Sequence, residues 1–296
     1  MTPTRALFAI LTVATALAAQ RQSPTFEWQK RTTTLAYGAA PVGKHSLAEL
    51  PVGETWRLGM NEASTWQLGM PVLAGGVVIA PGSYRVRLQR TAEDRCAIVV
   101  EGSAQATGVA HDARVDGALG KATKPTKKLA IDWLRAGAGE HGNQPVQVHL
   151  QFGDLQWLGD VTVLGGKTMT AGEWKVTTFA VPEAPLATRD KAPVALATVQ
   201  RGKDEAWNLV VGKNEARLVP WMAAPKEDFG FGAIVPPDAS RLTTGSVEVF
   251  EVPADAATPI AEARAATVDK GELVIEVHCG REGLRARVPE PKAKAK

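Results

Sequence analysis

Residues 68–86 read LGMPVLAGGVVIAPGSYRV, and residues 158–176 read LGDVTVLGGKTMTAGEWKV. Placed one above the other at an offset of 90 and without gaps, Leu68, Gly69, Gly75, Gly76, Gly82 and Val86 recur unchanged. Tyr84 meets Trp174, and Arg85 meets Lys175. The residue types are those of strands and tight turns. Gly75-Gly76 supplies the positive φ that a two-residue hairpin turn demands. Pro81-Gly82 and Ala171-Gly172 mark a further turn before an outgoing strand, on which aromatic and branched residues pack. The stretch therefore predicts a β structure that occurs twice along the chain.

Both copies extend outward. Ile98-Val99-Val100 matches Leu209-Val210-Val211 at an offset of 111, so the second copy carries 21 extra residues. They fall around PEAPLATRDKAP, a proline-containing stretch that reads as an exposed loop. Upstream, Leu35–Gly38 (LAYG) matches Leu150–Gly153 (LQFG) at an offset of 115, so the first copy carries 25 extra residues between Gly38 and Ser64. Short alternating runs such as YRVRL, CAIVV, VQVHL, WNLVV and LRARV fill the rest of the chain, separated by Gly, Pro, Asn and Asp. Helical periodicity is nearly absent, and an alanine-rich stretch over residues 255–267 reads as strand in preference to a short helix. The pattern predicts an all-β chain of two tandem antiparallel β-sandwich-like modules, over about 25–150 and 151–290. A single continuous sandwich is the alternative.

The ends and the composition set the context. Residues 1–19 carry one basic residue, Arg5, followed by an apolar run to about Ala19, with Ala16 and Ala18 suited to signal-peptidase cleavage. This reads as a cleaved secretory signal peptide, placing the mature chain in the periplasm or outside the cell. No later stretch is long and apolar enough to span a bilayer as a helix. Residues 291–296 read as a disordered basic tail. Of 34 basic residues one lies in the leader, and 31 acidic residues balance the remainder. Near neutrality implies no nucleic-acid partner. Export permits a disulfide between Cys96 and Cys279, against the alternative of two separate buried thiols.

The run LAYGAAPVGK…ELPVGETWRLGMNEASTWQL…GGVVIAPGSYRV resembles the bacterial DUF2911 family, whose function is unknown. The resemblance rests on Tyr37, then Pro51, Gly53, Trp56, Arg57, Gly59, Asn61, Glu62, Ala63 and Ser64, then Pro81, Gly82 and Tyr84. It covers about residues 35–101, with a weaker echo over 158–211. The chain has Gly43-Lys44 where the family often has Gly-Arg, and Met60 where it usually has Ala. The second copy lacks the W-R-x-G-x-N-E segment. The resemblance implies an exported β-sandwich-like domain and supplies no activity.

Candidate chemistry gathers in the first copy. Tyr37 and Trp56 would floor a ligand site, with Arg57, Asn61 and Glu62 orienting the polar groups of a carbohydrate or peptide. The structural alternative is a corner in which Arg57 pairs with Glu62, Asn61 bonds backbone and Trp56 plugs the sandwich end. The expected function is a non-catalytic binding or envelope-associated module. The alternative is a hydrolase acting on an envelope or extracellular polymer with a carboxylate of the Trp56–Glu62 segment, for which Glu49 and Glu54 are the nearest second carboxylates. The residues that would carry out such catalysis are not identified.

His45, His111, His141, His149 and His278 form no metal-ligand spacing, and no cofactor is implied. His149 and His278 read as packing residues on strands, whereas His111-Asp112 is a candidate neighbour of the first site. Gly137–Gly142 spells G-x-G-x-x-G between strand-like runs with no helix to follow, which excludes a dinucleotide loop. Asp228-Phe229-Gly230 spells DFG outside any kinase context.

Overall fold

The computed structural model describes residues 21–43, 47–60, 62–202, 205–221 and 239–291. The leader, Asn61, His45, the Asp228–Gly230 string and residues 292–296 lie outside them. The described chain is almost all β, in two antiparallel sheets.

The first sheet takes β1 (Arg21–Gln22), β2 (Thr25–Trp28), β3 (Arg31–Gly38), β4 (Thr55–Trp56), β5 (Thr65–Leu68), β6 (Val72–Ala74), β7 (Val77–Ile79) and β8 (Gly82–Ala92). It continues with β9 (Arg95–Glu101), β10 (Ala113–Lys121), β11 (Ala130–Arg135), β12 (Gln144–Phe152) and β13 (Leu155–Val163). The second sheet takes β14 (Gly166–Ala171), β15 (Trp174–Phe179), β16 (Val194–Arg201), β17 (Glu205–Val211) and β18 (Glu215–Pro220). It ends with β19 (Thr243–Glu251), β20 (Thr258–Asp269), β21 (Glu272–Gly280) and β22 (Glu282–Pro289). Among the described residues two short α-helices, α1 (Ser103–Thr107) and α2 (Glu183–Ala187), and three 3-10 turns, Leu47–Glu49, Ala239–Arg241 and Ala254–Ala256, interrupt the strands. Among the described residues no helix is long and apolar enough to cross a membrane.

Period-two alternation decides what each strand buries. On β8, Tyr84, Val86 and Leu88 are fully buried while Arg85, Arg87 and Gln89 keep partial access to solvent. Trp66, Trp157, Val86, Ile98 and Val148 build the first core, and Trp174, Trp207, Phe179, Leu218 and Ile275 the second. The first sheet curls into a half-barrel, drawn in where the Tyr37 hydroxyl accepts the Ile131 N–H of β11 at 2.9 Å. The second nearly closes, with β20 returning against β14 and β15.

The hairpin of β6 and β7 belongs to both cores. Val72, Ala74 and Ile79 face the first, whereas Leu73, Val78 and Ala80 face the second. A strand sends successive side chains to opposite faces, so one short hairpin walls two interiors. Its turn is the Gly75-Gly76 pair, at φ 55° and 81°. Burial of a valine such as Val78 stabilises by about 1.5–3 kcal/mol. Polar ties secure the same junction. Asn143 donates to Ala180 O at 2.9 Å and accepts from Gly165 N at 2.9 Å, and Asn208 donates to Pro81 O at 2.8 Å.

The residues matched at an offset of 90 do different work in the two copies. Gly165 is absent from the positive-φ glycines, and its need is close approach: a Cβ there would lie 2.2 Å from Gly142 O. In the first sheet β8 and β9 are neighbours, whereas β16 separates β15 from β17. The shared connectivity lies elsewhere. The order β8-β9-β10-β13-β12-β11 recurs as β17-β18-β19-β22-β21-β20; aligned on their turn glycines Gly153 and Gly280, the β12-β13 and β21-β22 hairpins place Val148-His149 where the second sheet has Ile275-Glu276. The first sheet runs through Val163, so the change of sheet follows the boundary expected near residue 150. The PEAPLATRDKAP stretch folds into α2 with Pro185 and Leu186 buried, because the second core extends over it. Residues 258–267 of the alanine-rich stretch are strand, as expected, after a single 3-10 turn over Ala254–Ala256.

Cys96 and Cys279 are free, each buried in its own core, so the candidate disulfide is not made. Burial, with Glu183 and Glu282 nearby, pushes the Cys279 thiol up to about 12. The folded state thus favours the neutral thiol, and this stabilisation is fully present below the unfolded thiol pKa of about 8.5 and fades as pH rises toward 12. Both thiols should titrate in denaturant without reductant and resist reagent in the native protein at pH near 8; a titre that needs reductant contradicts this arrangement. Val78→Asp places an unpartnered carboxylate in the shared wall and should cost at least about 3 kcal/mol. Calorimetry should show both modules destabilised together, and a shift confined to one of two separate transitions would show that the wall does not couple them.

Candidate functional site

The extra residues of the first copy are folded down by one buried guanidinium. Alternation on β8 carries Arg90 to the core-facing side, where it is 7% exposed. Its Nη1 donates to Leu47 O at 3.2 Å, Leu50 O at 3.2 Å and also Ala48 O. Nε donates to Ala92 O at 3.1 Å, and Nη2 to Glu93 O. Arginine presents five N–H donors in a rigid fork, and here carbonyl dipoles receive it in place of a carboxylate. The backbone joins in: Gly53 N donates to Arg90 O at 2.8 Å, and Arg90 N to Glu54 O at 3.0 Å. The segment then enters β4 and pairs Trp56 with Leu88 of β8.

This placement opens a cavity of about 390 Å³ between the inserted segment and the sheet. Trp56, half-buried, forms its floor with Phe152 from the end of β12, ring centroids 5.4 Å apart and planes tilted by 44°. Pro41, Leu47, Leu50 and Pro51 supply apolar walls, and Glu49 contributes a carboxylate. The volume and lining match those of a small-ligand or side-chain pocket.

The expected polar cluster separates. Arg57 is exposed and, among the described residues, makes no hydrogen bond or ion pair. Glu62 pairs with Arg21 of β1 at 2.8 Å instead, a surface pair with side chains 33% and 45% exposed, worth at most about 1 kcal/mol. Neither lines the cavity. Tyr37 is buried and spent on Ile131, and burial raises its phenol pKa. Of the five proposed ligand residues, only Trp56 reaches the cavity; Asn61 is outside the described residues.

The remainder of the W-R-x-G-x-N-E segment is a backbone corner. Leu58 is fully buried at φ 58°, and Gly59 sits at φ 127°. A Cβ on Gly59 would lie 2.5 Å from Gly38 O, and one on Gly38 would lie 2.0 Å from Met60 O. Only glycine allows the turn to press against the end of β3 this closely. Ser64 Oγ completes the corner by donating to Leu58 O.

The other candidates lie apart from the cavity. Asp112 accepts from Gly102 N at 3.0 Å and Ala104 N at 2.9 Å, tying down α1 at the end of β9 remote from the Arg90 turn, with His111 exposed beside it. His149 shares a hydrogen bond with Gln156 at 3.3 Å, and His278 contacts Glu276 at 3.3 Å. Among the described residues no group of His, Cys, Asp and Glu is arranged to hold a metal. The Gly137–Gly142 loop joins β11 to β12, and Gly142 O accepts from Trp28 Nε1 at 2.8 Å.

Arg90 and Phe152 were missed as site residues. For Arg90 a signal exists: it continues the Tyr84, Val86, Leu88 series, so a charge occupies a core-facing position. Arg90→Ala should cost about 3 kcal/mol or more by leaving several carbonyls unbonded, and Arg90→Lys should restore only part of it. Tyr37→Phe, which orphans the Ile131 N–H, should cost about 1–3 kcal/mol. Urea midpoints at constant slope check both. No family model, curated protein or solved structure matches the chain, so the resemblance to DUF2911 rests on the quoted residues.

Proposed function

We propose that the protein is an exported, non-catalytic binding module of the DUF2911 type, and that it holds a peptide through an apolar side chain seated between Trp56 and Phe152. The observation that carries this reading is the aromatic-floored cavity, enclosed by a segment that the second copy lacks. Apolar walls favour a hydrophobic side chain over a hydroxyl-rich ligand, and Glu49 adds a charged residue to the lining. A hydrolytic reading has less support. Glu62 is engaged by Arg21 and lies off the cavity, so a second carboxylate facing Glu49 across a substrate is not assembled there.

The test uses a capped hexapeptide library varied at one apolar or aromatic position, with affinity read by calorimetry. Trp56→Ala should weaken binding by about tenfold or more, a loss of about 1.4 kcal/mol, while Arg57→Ala and Glu62→Ala leave it within about twofold. A Trp56→Ala protein with an unchanged melting temperature and unchanged affinity would refute the assignment. The expected mature N-terminus follows Ala19, which mass spectrometry of exported protein checks.

A further inference from the structure

A second cavity, of about 320 Å³, lies where the outer face of the first sheet meets the second module. Cross-strand pairing lays out its floor. Thr25 pairs with Thr34, Thr34 with Gln67, and Gln67 with Ser83. Directly opposed residues share a face of the sheet, so two hydroxyls, an amide and a third hydroxyl run in one row across β2, β3, β5 and β8. The Thr25 and Thr34 hydroxyls are already bonded to each other at 3.0 Å.

Trp221, just past β18, lines the cavity together with Thr32, Thr34, Gln67 and Ser83. Its backbone N–H donates to Ala206 O at 3.0 Å. The Asn208 bond to Pro81 O, at 2.8 Å, ties β17 to the entry of β8, which fixes the two walls against each other. Two atoms of the lining residues remain without a partner among the described residues: Ser83 Oγ and Trp221 Nε1, both screened from bulk water. Ser83 is 8% exposed. Unpartnered buried polar groups are uncommon in native proteins, and two residues that line this one cleft each carry one.

No described residue of the lining is charged. That disfavours a phosphate, a carboxylate or an ammonium as the ligand, because each needs a counter-charge when desolvated. An indole beside hydroxyl and amide groups suits a ligand that is neutral, amphipathic and dense in hydroxyls, which both donate and accept. We propose that this cleft binds a neutral carbohydrate chain. It is separate from the Trp56 cavity and shares no lining residue with it.

The full mature chain would be titrated with cellohexaose, maltohexaose, xylohexaose and chitohexaose, with trigalacturonate as the anionic control. Calorimetry to about 5 mM sugar reaches affinities in the millimolar class. The expected result is binding of at least one neutral hexasaccharide, with none for trigalacturonate. Trp221→Ala and Gln67→Ala should each weaken binding about tenfold, while Trp56→Ala leaves it unchanged. Gln67 is exposed, so its variant retains the fold even if the Trp221 variant does not. Absence of binding by every neutral sugar, binding unaffected by Gln67→Ala, or binding lost in Trp56→Ala overturns the proposal. Of these outcomes only loss of sugar binding in Trp56→Ala would also count against the peptide assignment at Trp56; the others leave that assignment untouched.

Discussion

The short hairpin over residues 72–80 is the constraint on which the rest of the molecule depends. It has too few residues to be a layer of its own, yet its alternate side chains enter two different cores. A sheet residue exposes one face to each side, so a strand flanked by apolar interiors on both sides must be apolar throughout. VLAGGVVIA meets that demand with no polar side chain. The junction is thereby built from core packing, and the Asn143 and Asn208 amides satisfy backbone groups that two abutting β modules would otherwise leave orphaned.

Arg90 performs the corresponding task for the inserted segment. A loop that leaves the sheet and returns must satisfy its own carbonyls, and a single guanidinium gathers those of residues 47, 48 and 50 at the edge of the first core. The cost of burying that charge is offset by the aligned carbonyl dipoles around it. With the segment clamped, Trp56 is held over Phe152 and an apolar cavity forms. The candidate site is thus a by-product of how the insertion is anchored, and its polar neighbours in sequence turn outward.

Much of the architecture was legible in the chain. Strand type followed from alternation, the Gly75-Gly76 turn from its need for positive φ, and the special status of the segment between Gly38 and Ser64 from its absence in the second copy. The internal repeat was misleading in detail. Gly165-Gly166 resembles Gly75-Gly76 in letters, but glycine serves turns and close contacts alike, and only Gly142 O lying against Gly165 decides between them. The matching connectivity of the last strands of each sheet is weak in sequence because core-facing positions accept many apolar residues. The cluster Arg57, Asn61, Glu62 was inferred from proximity along the chain. A positive-φ corner at Leu58 and Gly59 turns Arg57 to solvent and leaves Glu62 beside Arg21.

By itself, the sequence determined that this is a β protein of two modules, because hydrophobic alternation and turn chemistry are local properties that each segment carries with it. It also determined where the unusual segment lies. Which aromatic stands opposite Trp56, which residue holds the insertion down, which glycine turns and which merely yields space, and that one hairpin serves two cores were decided only by tertiary structure. Those outcomes depend on contacts between residues far apart in the chain, whose partners no local pattern specifies.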